Sequence, residues 1–472
     1  MTFRRRTFAI GGCAFLVGAP LQSHAQKAPA KEKIYDPGAS DTEIRLGHFC
    51  PYSGPAGAYK VIGEAHAAYW KWINDNGGIN GRQITFISRD DGYDPRRSLD
   101  VTRQLVESDN VLCLYNSLGT ANNTEIRAYM NERKIPQLWV SSGSSKWGNP
   151  KDFPYTIGFQ PDYRFEAAAY VRHALRTKPK ARVGLLIQND EFGQDYLLGV
   201  RDVLPDADNR LTVVTYEVNA SAIDEQMDKL KASGAEVFIN ATVPKFAVDA
   251  IRRMAEINWR PVHYLTNVSL SDVAVMRPAG VENTVGIITA AYLKDPANKA
   301  WENDAEFKIW KSWMSKYLPE ADKNDVYYVF AYAVSSLMRE TLRRCGDNLK
   351  RENVMKQAAN LNMVRIPMLL PNIFVRTAAN DYYPISDVQL SQFTGAVWKP
   401  LQGYTRNPRT FAEPTSEVDM SEARKAGSTG GSAPAADKEA ISTATGQPDA
   451  TVPSQAAVPP APATVPAAPA TK

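Results

Sequence analysis

The feature that most constrains the fold of this chain is a strand–turn–helix–strand unit between residues 44 and 88. An apolar strand beginning at Ile44 leads into a glycine-rich turn over 53–57, and a helix over 60–76 follows at once. Four residues spaced by four, three and four form one buried stripe on this helix: Val61, Ala65, Ala68 and Trp72. A second strand, Gln83–Ser88, completes the unit. Such a unit presents backbone N–H groups and a helix N-terminus to a small ligand, although it also occurs as a plain scaffold.

Strands and helices continue to alternate along the chain. The further predicted strands are Val111–Tyr115, Pro136–Val140, Tyr155–Phe159, Val183–Gln188, Thr212–Val218, Val237–Ala241, Val262–Thr266 and Val285–Ala290. The further predicted helices are Pro95–Glu107, Thr120–Arg133, Asp162–Arg176, Gln194–Leu204, Asp224–Ala232, Lys245–Ile257, Trp301–Tyr317 and Val326–Cys345. Two successive series of this kind predict two parallel sheets covered by helices, with ligand-binding loops at the carboxyl ends of the strands.

The two ends of the chain do not have the composition of a folded domain. Three arginines (residues 4–6) precede an apolar run over 8–20, and Ser23-His24-Ala25 offers a small-residue cleavage site. This pattern predicts a signal peptide over 1–25 and a periplasmic location; a retained anchor is the alternative. Arg5-Arg6-Thr7-Phe8 also resembles a twin-arginine export signal. From about Ser421 the chain is rich in Ala, Pro, Ser and Thr, which predicts a disordered tail.

Charge and cysteine content narrow the classes of function. A net charge of +4 without a basic, aromatic-rich tract gives no indication of nucleic-acid binding. Three cysteines remain after the signal peptide, namely Cys50, Cys113 and Cys345. Cys50 and Cys113 lie late in predicted strands that are expected to be neighbours, so either a disulfide or two buried free thiols fits them.

The sequence lacks the motifs of the common enzyme classes. It contains no Gly-x-Ser-x-Gly elbow, P-loop, dinucleotide fingerprint or His-Glu-x-x-His helix. Asp90-Asp91 could mimic an acid pair, but a capping role before Asp94-Pro95 fits better. The expectation is therefore a protein that is not an enzyme and has no cofactor and no metal site.

Short loops rich in glycine and hydroxyl groups follow three strands of the first series. They are Ser53-Gly54-Pro55, Ser117-Leu118-Gly119-Thr120 and Ser142-Gly143-Ser144-Ser145. Hydroxyl and N–H groups at helix starts suit an organic carboxylate. Two aromatic residues at comparable positions, Tyr59 and Phe192, would form walls for an apolar ligand body.

Several short segments together carry a resemblance to a known family. They are Ser53-Gly54-Pro55, Asn74-Asp75-Asn76-Gly77-Gly78-Ile79-Asn80-Gly81, Asp91-Gly92-Tyr93-Asp94-Pro95, Lys134-Ile135-Pro136, Asn189-Asp190-Glu191-Phe192-Gly193 and Leu230-Lys231-Ala232-Ser233-Gly234-Ala235. In this order and spacing, over about 40–405, the chain resembles the type I periplasmic solute-binding proteins of ABC importers, in the branched-chain amino acid (leucine/isoleucine/valine) group.

The resemblance implies two Rossmann-like lobes joined by a three-strand hinge and closing on one small molecule. The expected division is a linker over 26–40, a first lobe over 41–161 and 290–365, a second lobe over 162–289 and 366–412, and a tail over 413–472. The expected partners are a small solute (a branched-chain amino acid or a related organic acid or amide) and ABC permease subunits. A ligand sensor feeding a signalling partner is the alternative function.

The resemblance also implies a set of binding residues. The ligand carboxylate would be bound by Leu118, Gly119, Thr120, Ser142, Gly143 and Ser145, between the walls Tyr59 and Phe192, with second-lobe contacts from Thr242 and Asn267. Family members that bind amino acids place an acidic residue near the ligand ammonium, whereas this chain has Asn267-Val268, with Asp272 as the nearest carboxylate in sequence. A buried ammonium without a countercharge costs several kcal/mol. The sequence therefore favours a carboxylate or amide without a free amine.

Overall fold

The computed structural model describes residues 33–407, which form two α/β lobes. The strands are β1 (Ile34–Tyr35), β2 (Glu43–Cys50), β3 (Gln83–Asp90), β4 (Cys113–Tyr115), β5 (Gln137–Val140), β6 (Thr156–Gly158), β7 (Val183–Gln188), β8 (Leu211–Tyr216), β9 (Val237–Ala241), β10 (Val262–Leu265), β11 (Ile288–Ala291), β12 (Asn348–Leu349), β13 (Asp387–Phe393) and β14 (Trp398–Arg406).

The α-helices range from single turns to twenty residues. They are α1 (Lys60–Asp75), α2 (Pro95–Arg103), α3 (Thr120–Glu132), α4 (Tyr163–Thr177), α5 (Glu191–Arg201), α6 (Ala207–Arg210), α7 (Asp224–Ala232), α8 (Pro244–Glu256), α9 (Arg277–Ala279), α10 (Val281–Thr284), α11 (Ala305–Tyr317), α12 (Val326–Cys345) and α13 (Arg351–Ala358). Single 3₁₀ turns lie at Gly57–Tyr59, Ser145–Gly148, Asn267–Ser269 and Lys299–Trp301, and π-helical turns at Gln104–Ser108 and Asp272–Met276.

The first lobe is built on a parallel sheet of five strands in the order β3-β2-β4-β5-β6. Helices α1, α2, α3 and α12 pack around it. The chain runs from β2 outward to β3 and then returns to the other side of β2 to form β4. The carboxyl ends of β2 and β4 therefore flank the crevice where open parallel sheets bind ligands.

The second lobe is built on a sheet of seven strands in the order β14-β13-β11-β10-β9-β7-β8. The five strands from β11 to β8 are parallel, and the hairpin β13–β14 adds two antiparallel strands at one edge. The chain reverses direction along this sheet as well: it runs from β7 outward to β8 and then returns to the other side of β7 to form β9. The two-sheet α/β architecture predicted from the alternation of elements is thus confirmed.

The chain passes between the lobes three times: after β6, after β11 and before β13. The returning helix α12 is buried along almost its whole length against α1. Tyr332 of α12 stacks on Trp72 of α1 with ring centroids 5.9 Å apart. Because α12 comes from a late part of the sequence, this packing unites two distant segments into one lobe.

Several element boundaries differ from the sequence prediction. Helix α5 begins at Glu191 rather than Gln194, because the Asp190 side chain accepts hydrogen bonds from the N–H groups of Phe192 and Gly193. Strand β11 begins at Ile288, since Val285 is 59% exposed. Residues 34–35, expected in a linker, pair with Asn348–Leu349. The predicted signal peptide (1–25), the end of the predicted second lobe (408–412) and the predicted tail (413–472) lie outside the described residues.

The structure decides between the two interpretations of the cysteines: Cys50, Cys113 and Cys345 are free and buried. Strands β2 and β4 are neighbours, as expected, but the register places Cys113 opposite Leu46. Cys50 lies four residues further on, roughly 13 Å along the strand, whereas a disulfide needs Cα atoms within about 7 Å.

Residues 33–407 contain neither a membrane-spanning helix nor a cluster of metal-binding side chains. No helix there has the length and apolar character to span a membrane. No cluster of three or more His, Cys, Asp or Glu side chains there is arranged to hold a metal ion.

Candidate functional site

A cavity lies where the carboxyl ends of the two parallel sheets face each other. Its empty volume, with the open mouth included, is about 800 Å³. The residues that line it are Tyr59, Ile62, Tyr93, Leu118, Gly119, Thr120, Ser141, Gln160, Tyr163, Phe192, Val243, Asn267, Val268, Leu270, Ala291, Tyr292, Leu293, Asp295, Val326, Tyr327, Phe330 and Trp398. Both lobes contribute, so a molecule in the cavity contacts both.

The first-lobe wall contains the N-terminus of α3. Gly119 precedes this helix with φ of 105°, and a Cβ added there would meet Asn122 Oδ1 at 2.3 Å, so only glycine fits. No side chain caps the first turn of α3. The helix start therefore offers N–H groups and the positive end of a helix dipole, next to the cavity-lining Thr120, which suits a carboxylate.

Eight aromatic side chains line the cavity. They are Tyr59, Tyr93, Tyr163, Phe192, Tyr292, Tyr327, Phe330 and Trp398. The Tyr59 hydroxyl donates to the Val268 carbonyl at 3.1 Å, and the Tyr327 hydroxyl donates to the same oxygen at 2.8 Å. Phe192 packs on Tyr163 with ring centroids 4.9 Å apart. These walls suit a small ligand with an apolar body.

Asn267 lies at the second-lobe side of the cavity, directly after β10, and is oriented by a buried carboxylate. Its backbone N–H donates to Glu166 Oε1 at 2.8 Å, and its Nδ2 donates to Glu166 Oε2. Glu166 projects from α4 and is fully buried. Burial raises the pKa of Glu166 to about 7, against the opposing effect of its hydrogen bonds with Tyr170 and Asn267.

Asp295 also lines the cavity, and it follows β11, the strand next to β10. Its Oδ1 accepts the Ala297 N–H at 3.0 Å, and its Oδ2 accepts the Trp398 N–H at 2.9 Å. Burial raises the pKa of this carboxyl, while the two N–H bonds oppose the rise. Asp295 was not among the predicted site residues, because the predicted strand ended at Ala290 and no motif marks the segment after it; the available signal was its position just beyond a strand end.

Six of the ten sequence-predicted site residues line the cavity: Tyr59, Leu118, Gly119, Thr120, Phe192 and Asn267. The other four lie close by without lining it. Ser142 Oγ is 2.8 Å from Thr120 Oγ1, so it supports a lining residue. The Gly143 carbonyl accepts the Tyr163 N–H, and the Thr242 hydroxyl donates to Asn240 Oδ1 at 2.7 Å.

Ser145 takes part in a different kind of contact, between the lobes. Its hydroxyl donates to Asp195 Oδ1 at 2.5 Å, and its N–H donates to Asp195 Oδ2 at 2.9 Å. Nearby, Glu191 of α5 accepts from Thr124 of α3 at 2.5 Å and forms an ion pair with Lys146. We call these interactions the cross-lobe contacts. They join the two lobes in the described conformation.

The Asp90-Asp91 pair has the structural role expected of it. Asp90 Oδ1 accepts the N–H groups of Tyr52 and Gly92, both at 2.9 Å. Asp91 Oδ2 accepts from the Ser98 hydroxyl at 2.7 Å and from Asn122 Nδ2 at 2.9 Å. Both carboxylates therefore stabilise turns and helix starts beside the cavity.

A buried, aromatic-lined cavity between two parallel-sheet lobes defines a two-lobed protein that binds small molecules. The model of the periplasmic binding protein family matches residues 43–396, so the chain belongs to this family. The expected resemblance is thereby confirmed, and the family is one of solute-binding proteins.

Two curated relatives have names consistent with the branched-chain amino acid group. An amino acid binding protein of Pseudomonas aeruginosa is 25% identical over 228 residues, which are 43% of this chain and 56% of that protein's length. The Leu/Ile/Val-binding protein homolog 1 of Brucella abortus is 24% identical over 327 residues, which are 67% of this chain and 82% of that protein.

Solved structures share the fold at low identity. A branched-chain amino acid ABC transporter protein from Thermus thermophilus, with bound valine, has a TM-score of 0.68 at 16% identity, covering 79% of this chain and 98% of that one. A solute-binding protein from R. palustris, in complex with 4-hydroxybenzoate, has a TM-score of 0.64 at 14% identity, covering 78% and 98%.

Proposed function

We propose that this protein is the periplasmic substrate-binding component of an ABC importer of the branched-chain amino acid type. It would bind one small organic solute in the cavity between the lobes and deliver it to a permease. The observation that carries this proposal is the cavity itself: it lies at the direction reversals of both sheets and is lined from both lobes. The location would follow from export directed by residues 1–25.

Binding would work by selecting the closed arrangement of the lobes. A solute that contacts Thr120 on one side and Asn267 on the other makes its full set of contacts only when the lobes approach. Shifting a mostly open population to a mostly closed one requires a difference in affinity of about 10⁴, or ~5.5 kcal/mol. A micromolar ligand, at about −8 kcal/mol, has enough binding energy for this shift. The permease would then recognise the closed form.

The N-terminus of α3 is our proposed site for the ligand carboxylate. Valine and 4-hydroxybenzoate, the ligands of the two solved neighbours, differ in size and aromaticity but share a carboxylate. Gly119 and Thr120 bring the start of α3 to the cavity wall. Eight aromatic side chains would surround the rest of the ligand.

Calorimetric titration with amino acids, aromatic acids and short amides tests this function. We expect at least one of these solutes to bind with a micromolar dissociation constant. The Tyr59→Ala variant, which removes a wall and the bond to Val268, should weaken that binding by ~1–3 kcal/mol. Leu198→Ala is the control, since Leu198 is 43% exposed on α5 and does not line the cavity. Binding no tighter than millimolar for every solute would contradict the proposal.

A further inference from the structure

A buried hydrogen-bond acceptor without a protein partner lies at the wall of the cavity. Asn267 lines the cavity and is only 5% exposed, and its Oδ1 has no hydrogen-bond partner among residues 33–407. The two nitrogen atoms of the same residue are paired: its N–H donates to Glu166 Oε1 at 2.8 Å, and its Nδ2 donates to Glu166 Oε2. A buried acceptor that stays unpaired is costly, so this oxygen calls for a donor from a bound molecule.

The orientation of the Asn267 amide depends on whether Glu166 carries a proton. An ionised carboxylate only accepts hydrogen bonds, so Nδ2 must face it and the amide oxygen is left for the ligand. A protonated carboxyl has one O–H to donate. When Glu166 Oε2 takes up a proton from solvent, the amide can turn over, so that Oδ1 accepts from Oε2 and Nδ2 is left for the ligand. The backbone N–H of Asn267 stays bound to Glu166 Oε1 in both arrangements.

The groups around Glu166 leave it as the one that changes charge near neutral pH. Four tyrosines interact with it, namely Tyr163 and Tyr170 on α4, Tyr196 on α5 and Tyr292 after β11. Burial raises the pKa of each of these tyrosines above its ordinary value, so they stay neutral. Asp195 of α5 accepts two bonds from Ser145, and Tyr264 of β10 packs on Tyr170. Burial raises the pKa of Glu166 itself to about 7.

We propose that Glu166 is a positioning residue that decides which kind of solute the cavity accepts at Asn267. With Glu166 ionised, Asn267 presents its amide oxygen and selects a solute that donates a hydrogen bond there, such as a hydroxy acid. With Glu166 protonated, Asn267 presents Nδ2 and selects a solute that accepts a hydrogen bond there, such as an oxo acid. This inference rests on the proposed solute-binding function and adds to it a specificity that changes with pH.

The selectivity arises from the unpaired groups that the wrong solute leaves in the cavity. An oxo group placed against Asn267 Oδ1 sets two acceptors against each other, and both lose the hydrogen bonds they had with water. A hydroxyl at the same place donates to Oδ1 and leaves neither atom unpaired. The turn of the amide therefore exchanges one preference for the other without moving the aromatic walls. The ligand carboxylate is not affected, because its proposed site is the start of α3 in the other lobe.

The test uses pairs of acids that differ only in a hydroxyl or an oxo group. Mandelate is compared with phenylglyoxylate, and 2-hydroxy-4-methylpentanoate with 4-methyl-2-oxopentanoate, by calorimetric titration of the wild-type protein at pH 5.5 and pH 8.5. All four carboxylates are ionised at both pH values, so the ligands themselves do not change. We expect the hydroxy acid of at least one pair to bind about 10-fold more tightly than the oxo acid at pH 8.5, and this ratio to fall at least about 10-fold at pH 5.5.

Two results would overturn the inference while leaving solute binding intact. One is a ratio between hydroxy acid and oxo acid that is the same at both pH values. The other is that none of the four acids binds although another solute of the wider panel does. Failure of all four acids and of the whole panel would contradict the proposed function itself.

Substitution then locates the source of the change with pH. Glu166→Gln reproduces the protonated form, because its Nε2 can donate to Asn267 Oδ1 while its Oε1 accepts the Asn267 N–H. The oxo acid should therefore be favoured at both pH values. Glu340→Gln is the matched control: Glu340 is 2% exposed, but it pairs with Arg343 and Arg344 and does not line the cavity. In this control the ratio should change with pH as in the wild type.

Melting temperatures establish that both variants fold. A ratio that changes with pH in Glu166→Gln as it does in the wild type would overturn the role of Glu166. If Glu166→Gln does not fold, Asn267→Ala takes its place, since it removes the amide that turns. The ratio should then be independent of pH, and a ratio that still follows the wild-type profile would overturn the inference.

Discussion

At the scale of single residues, the buried carboxyl of Glu166, which does not line the cavity, is expected to make the stability of the fold depend on pH. It lies behind Asn267 and is surrounded by Tyr170, Tyr196 and the Asn267 amide. Burial raises the pKa values of these tyrosines well above their ordinary range, so they stay neutral and add no negative charge beside Glu166. The ionised form of Glu166 is therefore held mainly by hydrogen bonds.

The raised pKa of Glu166 makes the stability of the fold depend on pH. The carboxyl titrates near 4.5 in the unfolded chain and at about 7 in the folded protein. Between these values the folded state keeps a proton that the unfolded state releases, so the free energy of unfolding falls as pH rises. The stabilisation is complete below pH 4.5 and is lost above pH 7; it amounts to about 3 kcal/mol.

Urea unfolding of the wild type and Glu166→Gln at pH 5 and pH 8 measures this effect. We expect the wild type to lose about 3 kcal/mol more than the variant between the two pH values, because glutamine does not titrate. Other titrating groups, such as Asp91 and Asp325, are common to both proteins and cancel in the difference. Glu236→Gln, at an exposed residue paired with Lys178, is the control and should follow the wild type. Parallel profiles for Glu166→Gln and the wild type would contradict the raised pKa.

A cavity residue can be predicted from the sequence when a local pattern, such as a loop after a strand, marks its position. Tyr59 and Thr120 were predicted because each stands at or just after a loop that follows a predicted strand, whereas Asn267 was predicted only from the family resemblance. Asp295 was missed because the predicted strand ended at Ala290 and was expected to lead directly into a helix. Phe192 was expected to be an exposed wall, yet it is 2% exposed and packs on Tyr163 and Tyr196. Its replacement by alanine would therefore also destabilise the fold.

At the scale of elements, helix α5 connects the two lobes. It belongs to the second lobe, and its first two turns carry Glu191 and Asp195, which form the cross-lobe contacts with α3 and with the turn Ser145–Gly148. Phe192 projects from the same turn into the cavity wall. One helix start thus contacts both the cavity and the opposite lobe, so we expect closure and ligand binding to be coupled through it.

Removing the charge of Glu191 should weaken closure without changing the ligand preference. The Lys146–Glu191 pair is only partly buried, with side-chain exposures of 25% and 41%, so its contribution is about 0.2–1 kcal/mol. We expect Glu191→Gln to raise the dissociation constant of every ligand by the same factor, up to about 5-fold. The factor should shrink at high salt, which screens the pair.

Titration calorimetry at low and high salt gives these values, with Asp208→Asn as the control. Asp208 pairs with Arg201 near the far end of α5, and its side chain is 86% exposed. A change in the ratio between ligands in Glu191→Gln would show that Glu191 contacts the ligand and would contradict a role limited to closure.

Hydrophobic periodicity predicts the bounds of long helices better than those of short strands. The long helix α12 was predicted with its observed bounds, since Asp325 caps its start and Gly346 ends it. Strand β12, two residues long, had no periodic signal and forms only because β1 comes to lie beside it. Short elements of this kind depend on tertiary contacts, which a single sequence does not reveal.

At the scale of the whole molecule, the sequence predicted two sheets but not how their edges meet. Each βαβ series carries its own signal of alternating apolar stretches, so the two lobes follow from local pattern. The cavity depends instead on residues far apart in the chain. Tyr59 and Val268 are 209 positions apart, and they are joined by one hydrogen bond. Contacts of this separation are set by packing, which is why the cross-lobe contacts were not foreseen.

The two lobes are expected to separate when no solute is bound and to close when one binds. The described conformation has the lobes joined by Tyr59 and Tyr327 to Val268, by Ser271–Asp325 and Arg277–Asp322, by the Glu191 contacts and by Ser145–Asp195. All of these are polar contacts that water can replace when the lobes separate, so without a ligand we expect the open form to be populated. Small-angle scattering should then show a smaller radius of gyration when a tight-binding solute is added, and Glu191→Gln should begin from a more open ligand-free state and close to the same final curve. Scattering curves that superimpose with and without such a solute would contradict closure, because binding would then occur with no change in the separation of the lobes.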